Sequence, residues 1–205
     1  MSSATQSAKT RRMVFFAMMI AITVVLQTLS NFITPGGIPI TLTLIPVIIG
    51  SAIFGIKGGA ALGFVAGLTV YITGLLGLDK GVVMSYIQSN GLISAIATPL
   101  LVIIKGTVAG IGAGFVYKLA AKKSSLLGVI LAGITAPVLN TGIFVLGTVT
   151  IFRNTLGEGP LWPLFLSLLA LIWLNFVVEL VLDLVLSTAI ERIITASKQH
   201  KSAKN

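Results

Sequence analysis

Residues 161–190 read LWPLFLSLLALIWLNFVVELVLDLVLSTAI, an apolar run interrupted by Asn175, Glu179 and Asp183. Their spacing of four puts all three on one helical face. About 20 apolar residues cross a bilayer, so this longer run must tilt or protrude. Charged groups inside a span face protein or a water-filled cavity rather than lipid, and the polar stripe therefore marks an inward face. Asp183 suits either a structural pairing with Lys105 and backbone groups or a place in a site. Asn175 and Glu179, nearer mid-membrane, point to a binding site.

The composition places this run in context. Of 205 residues, 56% are hydrophobic and 9% are charged, a balance that indicates an integral membrane protein. With no cysteine, disulfides, thiolate metal sites and a cysteine nucleophile are excluded. The net charge of +9 does not indicate nucleic acid, because the cations cluster beside apolar segments, as membrane orientation requires. Residues Met1–Arg12 are polar and basic, and the apolar run after them is too long for a signal sequence. A retained first span is expected.

Hydropathy predicts six spans over residues 13–33, 38–55, 58–78, 92–117, 126–152 and 161–190. Their richness in Leu, Ile, Ala and Gly, without strict alternation, predicts helices rather than a barrel. With the amino terminus inside, the inner segments hold Lys9, Arg11, Arg12, Lys57, Lys118, Lys122, Lys123, Arg192, Lys198, Lys201 and Lys204. The outer loops hold Lys80 and Arg153, and one span holds Lys105. This inward bias predicts an all-α six-transmembrane-helix bundle with both termini cytoplasmic: a basic tail over 1–12, a membrane domain over 13–192 and a second basic tail over 193–205.

Within the spans, small residues and polar residues carry the information. Ala17 and Ala21 let another helix approach the first span closely, either in the same chain or in a partner subunit. Glycines 59, 63 and 67, and 106, 110 and 114, form matching ladders for tight crossings in the third and fourth spans. Pro35, Gly36, Gly37 and Pro39 form a turn, and Pro46 and Gly50 make the second span short or bent. Lys105 lies near the middle of the fourth span, where an unpaired ammonium costs at least ~2.5 kcal/mol. Counting from the ends puts Lys105, Asn140 and Asn175 at similar depth, with Glu179 a turn further in. Pro137 frees a carbonyl beside Asn140 and Thr141. Tyr86 and Asn90 fall in an outer loop that reads equally as a lid or as solvated chain, and Arg153 and Trp162 mark the last outer loop.

Nucleotide and hydrolase motifs are missing. There is no Gly-x-x-x-x-Gly-Lys-Ser/Thr, no His-Glu-x-x-His and no Gly-x-Ser-x-Gly, and the single histidine, His200, is in the basic tail. No ATP site, catalytic residue, metal or cofactor is expected in this chain.

The order of these features resembles the substrate-specific S components of energy-coupling factor (ECF) vitamin transporters. The residues that carry the resemblance are Ala17-x-x-x-Ala21, the run Thr41-Leu-Thr-Leu-Ile-Pro-Val-Ile-Ile-Gly-Ser-Ala-Ile-Phe-Gly followed by Lys57-Gly-Gly, and Asn175-x-x-x-Glu179. The resemblance implies a vitamin-binding membrane subunit, not an enzyme, that associates with a transmembrane coupling subunit and two ATPases, which use the ATP. It implies that the subunit topples to release its vitamin inside. It assigns Ala17 and Ala21 to the coupling-subunit face and Asn140, Asn175 and Glu179 to the vitamin pocket, with Lys105, Tyr86 and Asn90 as further candidates. The segment Ala136-Pro-Val-Leu-Asn-Thr-Gly-Ile-Phe looks most like the pantothenate-specific members. The low aromatic content, 7%, fits a non-planar vitamin better than riboflavin or folate; pyridoxine is a further alternative. Outside this class, Lys105, Glu179 and Asp183 would serve a stand-alone proton-coupled carrier or small channel as a relay.

Overall fold

Small residues, more than large ones, set how this chain packs. In a computed structural model that describes residues 3–34, 39–153 and 159–202, seven helices follow one another: α1 Ser3–Ser30, α2 Leu44–Phe54, α3 Ile56–Leu75, α4 Val82–Gln88, α5 Gly91–Ala120, α6 Ser125–Thr150 and α7 Leu161–Ser202. No strand occurs among the described residues. Within α1, α3, α5, α6 and α7 lie five stretches long and apolar enough to cross a membrane. Their outward faces are apolar, with Leu100, Leu146 and Val185 among the exposed side chains, as a lipid-facing surface requires.

The two glycine ladders meet each other. A Cβ at Gly63 would lie 2.1 Å from the Gly106 carbonyl oxygen, one at Gly110 would lie 2.1 Å from the Gly59 oxygen, and one at Gly67 would lie 2.4 Å from the Val102 oxygen. As residue numbers rise along α3, their partners on α5 fall, so the helices are antiparallel with backbones in direct contact. Only glycine allows that approach.

Where hydropathy predicts a second span over 38–55, the helix is confined to Leu44–Phe54, 11 residues. It rises about 16 Å, against about 30 Å for a bilayer core. The segment before it, residues 39–43, is not helical, because its backbone is engaged elsewhere. Ile40 N–H donates to the Ile33 carbonyl at 3.1 Å, Thr41 N–H to Glu179 Oε1 at 2.7 Å, and Leu42 N–H to Ser30 Oγ at 3.2 Å. Irregular backbone at membrane depth is stable only where protein or a cavity satisfies it. Gly55, at φ +80, then turns the chain from α2 into α3 in one residue. Of the turn expected at Pro35, Gly36, Gly37 and Pro39, all but Pro39 lies outside the described residues.

The main core gathers Ile48, Leu62, Val129, Ala132 and Ile190 between α2, α3, α6 and α7, and a second cluster, Val145, Val149, Leu168 and Ile172, joins α6 to α7. Two helices carry a proline in their interior, and both run on through it, α5 at Pro99 and α6 at Pro137. The basic residues before the first apolar run extend α1.

Candidate functional site

Between α1, α5, α6 and α7, on the side that holds α4, lies a cavity with about 720 Å³ of non-atom space, part of it open to the exterior. Each helix supplies polar groups to it for a local reason. The four-residue spacing on α7 turns Asn175 and Glu179 to one wall, α5 brings Lys105, and α6 brings Asn140 and Thr141 one turn after Pro137. Gln27 comes from α1 and Asn31, four residues on, from the turn after it, while Thr41 and Asp79 come from the connecting segments. A narrower cleft shares Gln27, Thr41, Lys105 and Asn140 and continues between α2, α3 and α5.

The non-helical segment 39–43 is the hub of this wall. Thr41 donates its amide to Glu179 and accepts a 3.4 Å hydrogen bond from Asn140 Nδ2 at its hydroxyl. Thr43 Oγ1 donates to Gln27 Oε1 at 3.2 Å. Three helices are thereby tied to one stretch of five residues. Asn140 and Glu179 are only 4% and 5% exposed, and Glu179 Oε2 has no hydrogen-bond partner among the described residues. Lys105 places its ammonium 5.2 Å from the centre of the Phe144 ring, a cation–π contact. It also attracts the Glu179 carboxylate electrostatically. This leaves one cation, four carboxamides (Gln27, Asn31, Asn140 and Asn175) and two acids (Asp79 and Glu179) around one space, suited to holding a small polar solute.

The remaining sequence-predicted residues lie elsewhere. Tyr86 is behind the wall: its hydroxyl is 2.8 Å from Thr148 Oγ1, and its ring packs 5.9 Å from Phe144 and 4.7 Å from Phe152. Burial pushes its phenol up to about 12, against a smaller downward pull from the Thr148 bond. Asn90 is exposed at the start of α5. Asp183 is buried where α7 crosses Gly133 of α6, and the charge acting on it is that of Glu179. Lys105 therefore faces Glu179 rather than Asp183. Ala17 and Ala21 are on the exposed side of α1, among Met13, Val14, Met18 and Val25.

Asp79 closes the α4 side of the site. Its carboxylate accepts from Gly81 N–H at 3.0 Å and Val83 N–H at 2.7 Å, which fixes the turn into α4 and presses Val82 and Val83 towards the cavity.

A family model for the substrate-specific component of ECF transporters matches residues 11–191. The chain belongs to that family. It is accordingly a membrane transporter component rather than an enzyme. It is also similar to the pantothenic acid transporter PanT of Lactococcus lactis subsp. cremoris (strain MG1363), with 30% identity over 208 residues covering 95% of this chain and 99% of that protein.

Gln27, Asn31 and Thr41 were not among the residues expected in the site. Thr23, Gln27 and Asn31 repeat every four residues along apolar α1 and the turn that ends it, and all are buried, the same signal that α7 displays with charged side chains. Uncharged polar residues carry it more quietly, since their transfer cost is smaller.

Proposed function

We propose that this S component captures pantothenate at the outer face of the cell membrane and delivers it inward with a transmembrane coupling subunit and two ATPases. The observation that carries the reading is the convergence of Lys105, Asn140, Asn175 and Glu179 on one cavity. Pantothenate offers a carboxylate to the Lys105 ammonium and hydroxyl and amide groups to the carboxamides and the acid. The similarity to a pantothenic acid transporter over nearly the whole chain supports the same solute. Tyr86 contributes by holding Phe144 against Lys105.

In this reading α2 and the non-helical segment before it together complete a six-membered bundle, with both termini and most of the cations inside. Ala17 and Ala21 meet the coupling subunit, and the ATPases supply the ATP chemistry that this chain lacks motifs for. No cofactor or metal takes part.

Calorimetric titration of the detergent-purified chain with pantothenate, riboflavin, folate and pyridoxine in separate runs tests the reading. Tight one-to-one binding of pantothenate alone is expected. Tight binding of another vitamin would keep the class and discard the solute, and uptake by the chain alone driven by a proton gradient would overturn both.

A further inference from the structure

The polar wall on α7, α5 and α6 is only half of the cavity. A further contribution comes from Gln27 on α1 and from Asn31 in the turn that follows it. Asn31 is 3% exposed and lines the cavity, yet its amide nitrogen Nδ2 has no hydrogen-bond partner among the described residues. A buried donor left unsatisfied is costly, so a carboxamide at this point weakens the empty protein. One turn earlier, Gln27 is held by the Thr43 hydroxyl through its Oε1, which orients that side chain and fixes the α1 wall against segment 39–43. The wall is thus ordered, with an idle donor at its end.

We propose that Asn31 is a solute-binding residue, donating its side-chain amide to a carbonyl or hydroxyl oxygen of the bound molecule. The solute class it selects is an anion with acceptor groups remote from its charge: the carboxylate goes to Lys105 on α5, and the acceptor oxygen goes to Asn31 in the turn after α1. This rests on the solute-binding reading above and adds the turn after α1 to the specificity-determining elements. A simple short-chain carboxylate fills the Lys105 side only and leaves Asn31 unsatisfied. Pantothenate, with an amide carbonyl and two hydroxyls, meets both walls.

The test compares the full-length purified chain with Asn31→Leu and Asn31→Asp, measuring pantothenate affinity by calorimetry and the melting temperature without ligand. Asn31→Leu removes an unsatisfied donor, so its ligand-free melting temperature should equal or exceed that of the wild type while affinity falls about tenfold or more. Asn31→Asp keeps the shape but replaces the donor, and should lose affinity at least as strongly. A purely structural asparagine gives the opposite signature, a lower melting temperature with affinity unchanged, and that result overturns the proposal. If the wild type binds riboflavin, folate or pyridoxine instead, the pantothenate reading fails while the same variants decide the role of Asn31 with that vitamin. Binding of none of the four overturns both.

Discussion

The Thr41 amide donates to Glu179 Oε1 at 2.7 Å across 138 residues of sequence. This bond joins the stretch that leads into α2 to the polar stripe of α7, and it explains why the second apolar run does not begin as a helix. Replacing Glu179 by Leu leaves a buried backbone N–H without an acceptor and Lys105 without its opposite charge. A loss of about 2–3 kcal/mol is expected, read as reduced unfolding stability in detergent. Glu179→Gln retains an acceptor and should lose about 1 kcal/mol. Equal stability of the Leu variant and the wild type would show that this bond does not organise the segment.

The α3–α5 crossing makes a sharper prediction, because the atoms that would collide are backbone. Gly63→Ala puts a methyl group 2.1 Å from the Gly106 oxygen, so the helices must separate, at a cost of about 1–3 kcal/mol. Gly142, also helical, has no atom within 4 Å of the corresponding position, and Gly142→Ala should be neutral or stabilise by up to about 1 kcal/mol. Thermal unfolding of the two variants side by side separates crossing geometry from helix propensity.

The fold class was legible because hydropathy and small-residue spacing are local properties. Five long helices appear close to their expected positions, and the ladders at 59–67 and 106–114 are used as spaced. Segment 39–43 was not legible: its hydropathy suits a span, and only partners at residues 30, 33 and 179 divert its amides from a helix. The candidate site divides in the same way. Glu179 and Lys105 stood out through the cost of charge in an apolar run, whereas Asn31 and Gln27 matched the same four-residue rhythm without the charge. Tyr86 and Asn90 share a loop with Asp79, and composition alone does not reveal which of the three lines the cavity.

Lys105 gives a prediction about charge. Lys105→Gln should weaken pantothenate binding by about 10–100-fold, the worth of a charge-assisted hydrogen bond of about 1.5–3 kcal/mol. The uncharged alcohol analogue of pantothenate should lose little on the same substitution. Calorimetry on both ligands checks this, and an equal loss for the two would assign Lys105 to the wall rather than to the carboxylate.

Tyr86 gives a prediction about pH. Its phenol is held up to about 12 from an ordinary value of 10.0, so between these values the unfolded chain releases the proton more readily than the folded one. The associated stability is fully present below pH 10 and is lost as pH rises through about 12. Tyr86→Phe removes this alkaline loss and the Thr148 bond together, with a cost of about 1 kcal/mol at neutral pH. Unfolding measured across pH 9 to about 11.5 should therefore show the two proteins converging as pH rises. Parallel curves would place the titration elsewhere.

Ala17 lies on the opposite side of α1 from the packed aromatic residues. Phe15 and Phe16 pack on Phe54 at 5.9 and 4.9 Å, and Arg12 sits 5.7 Å from the centre of that ring. These contacts anchor the inner side of the helix and leave Ala17 and Ala21 facing outward among apolar neighbours. A tryptophan at position 17 would project from the exposed side of α1 and fill the space a partner helix needs for close approach. Gln27 is ten residues further along, about 15 Å, so the cavity should not sense the change. Ala17→Trp should accordingly leave pantothenate affinity within twofold of wild type and reduce recovery of the coupling subunit in a co-expression pull-down at least tenfold. Undiminished recovery would move the partner face off this side of α1, while a matching loss of affinity would show that the substitution disturbs the bundle itself.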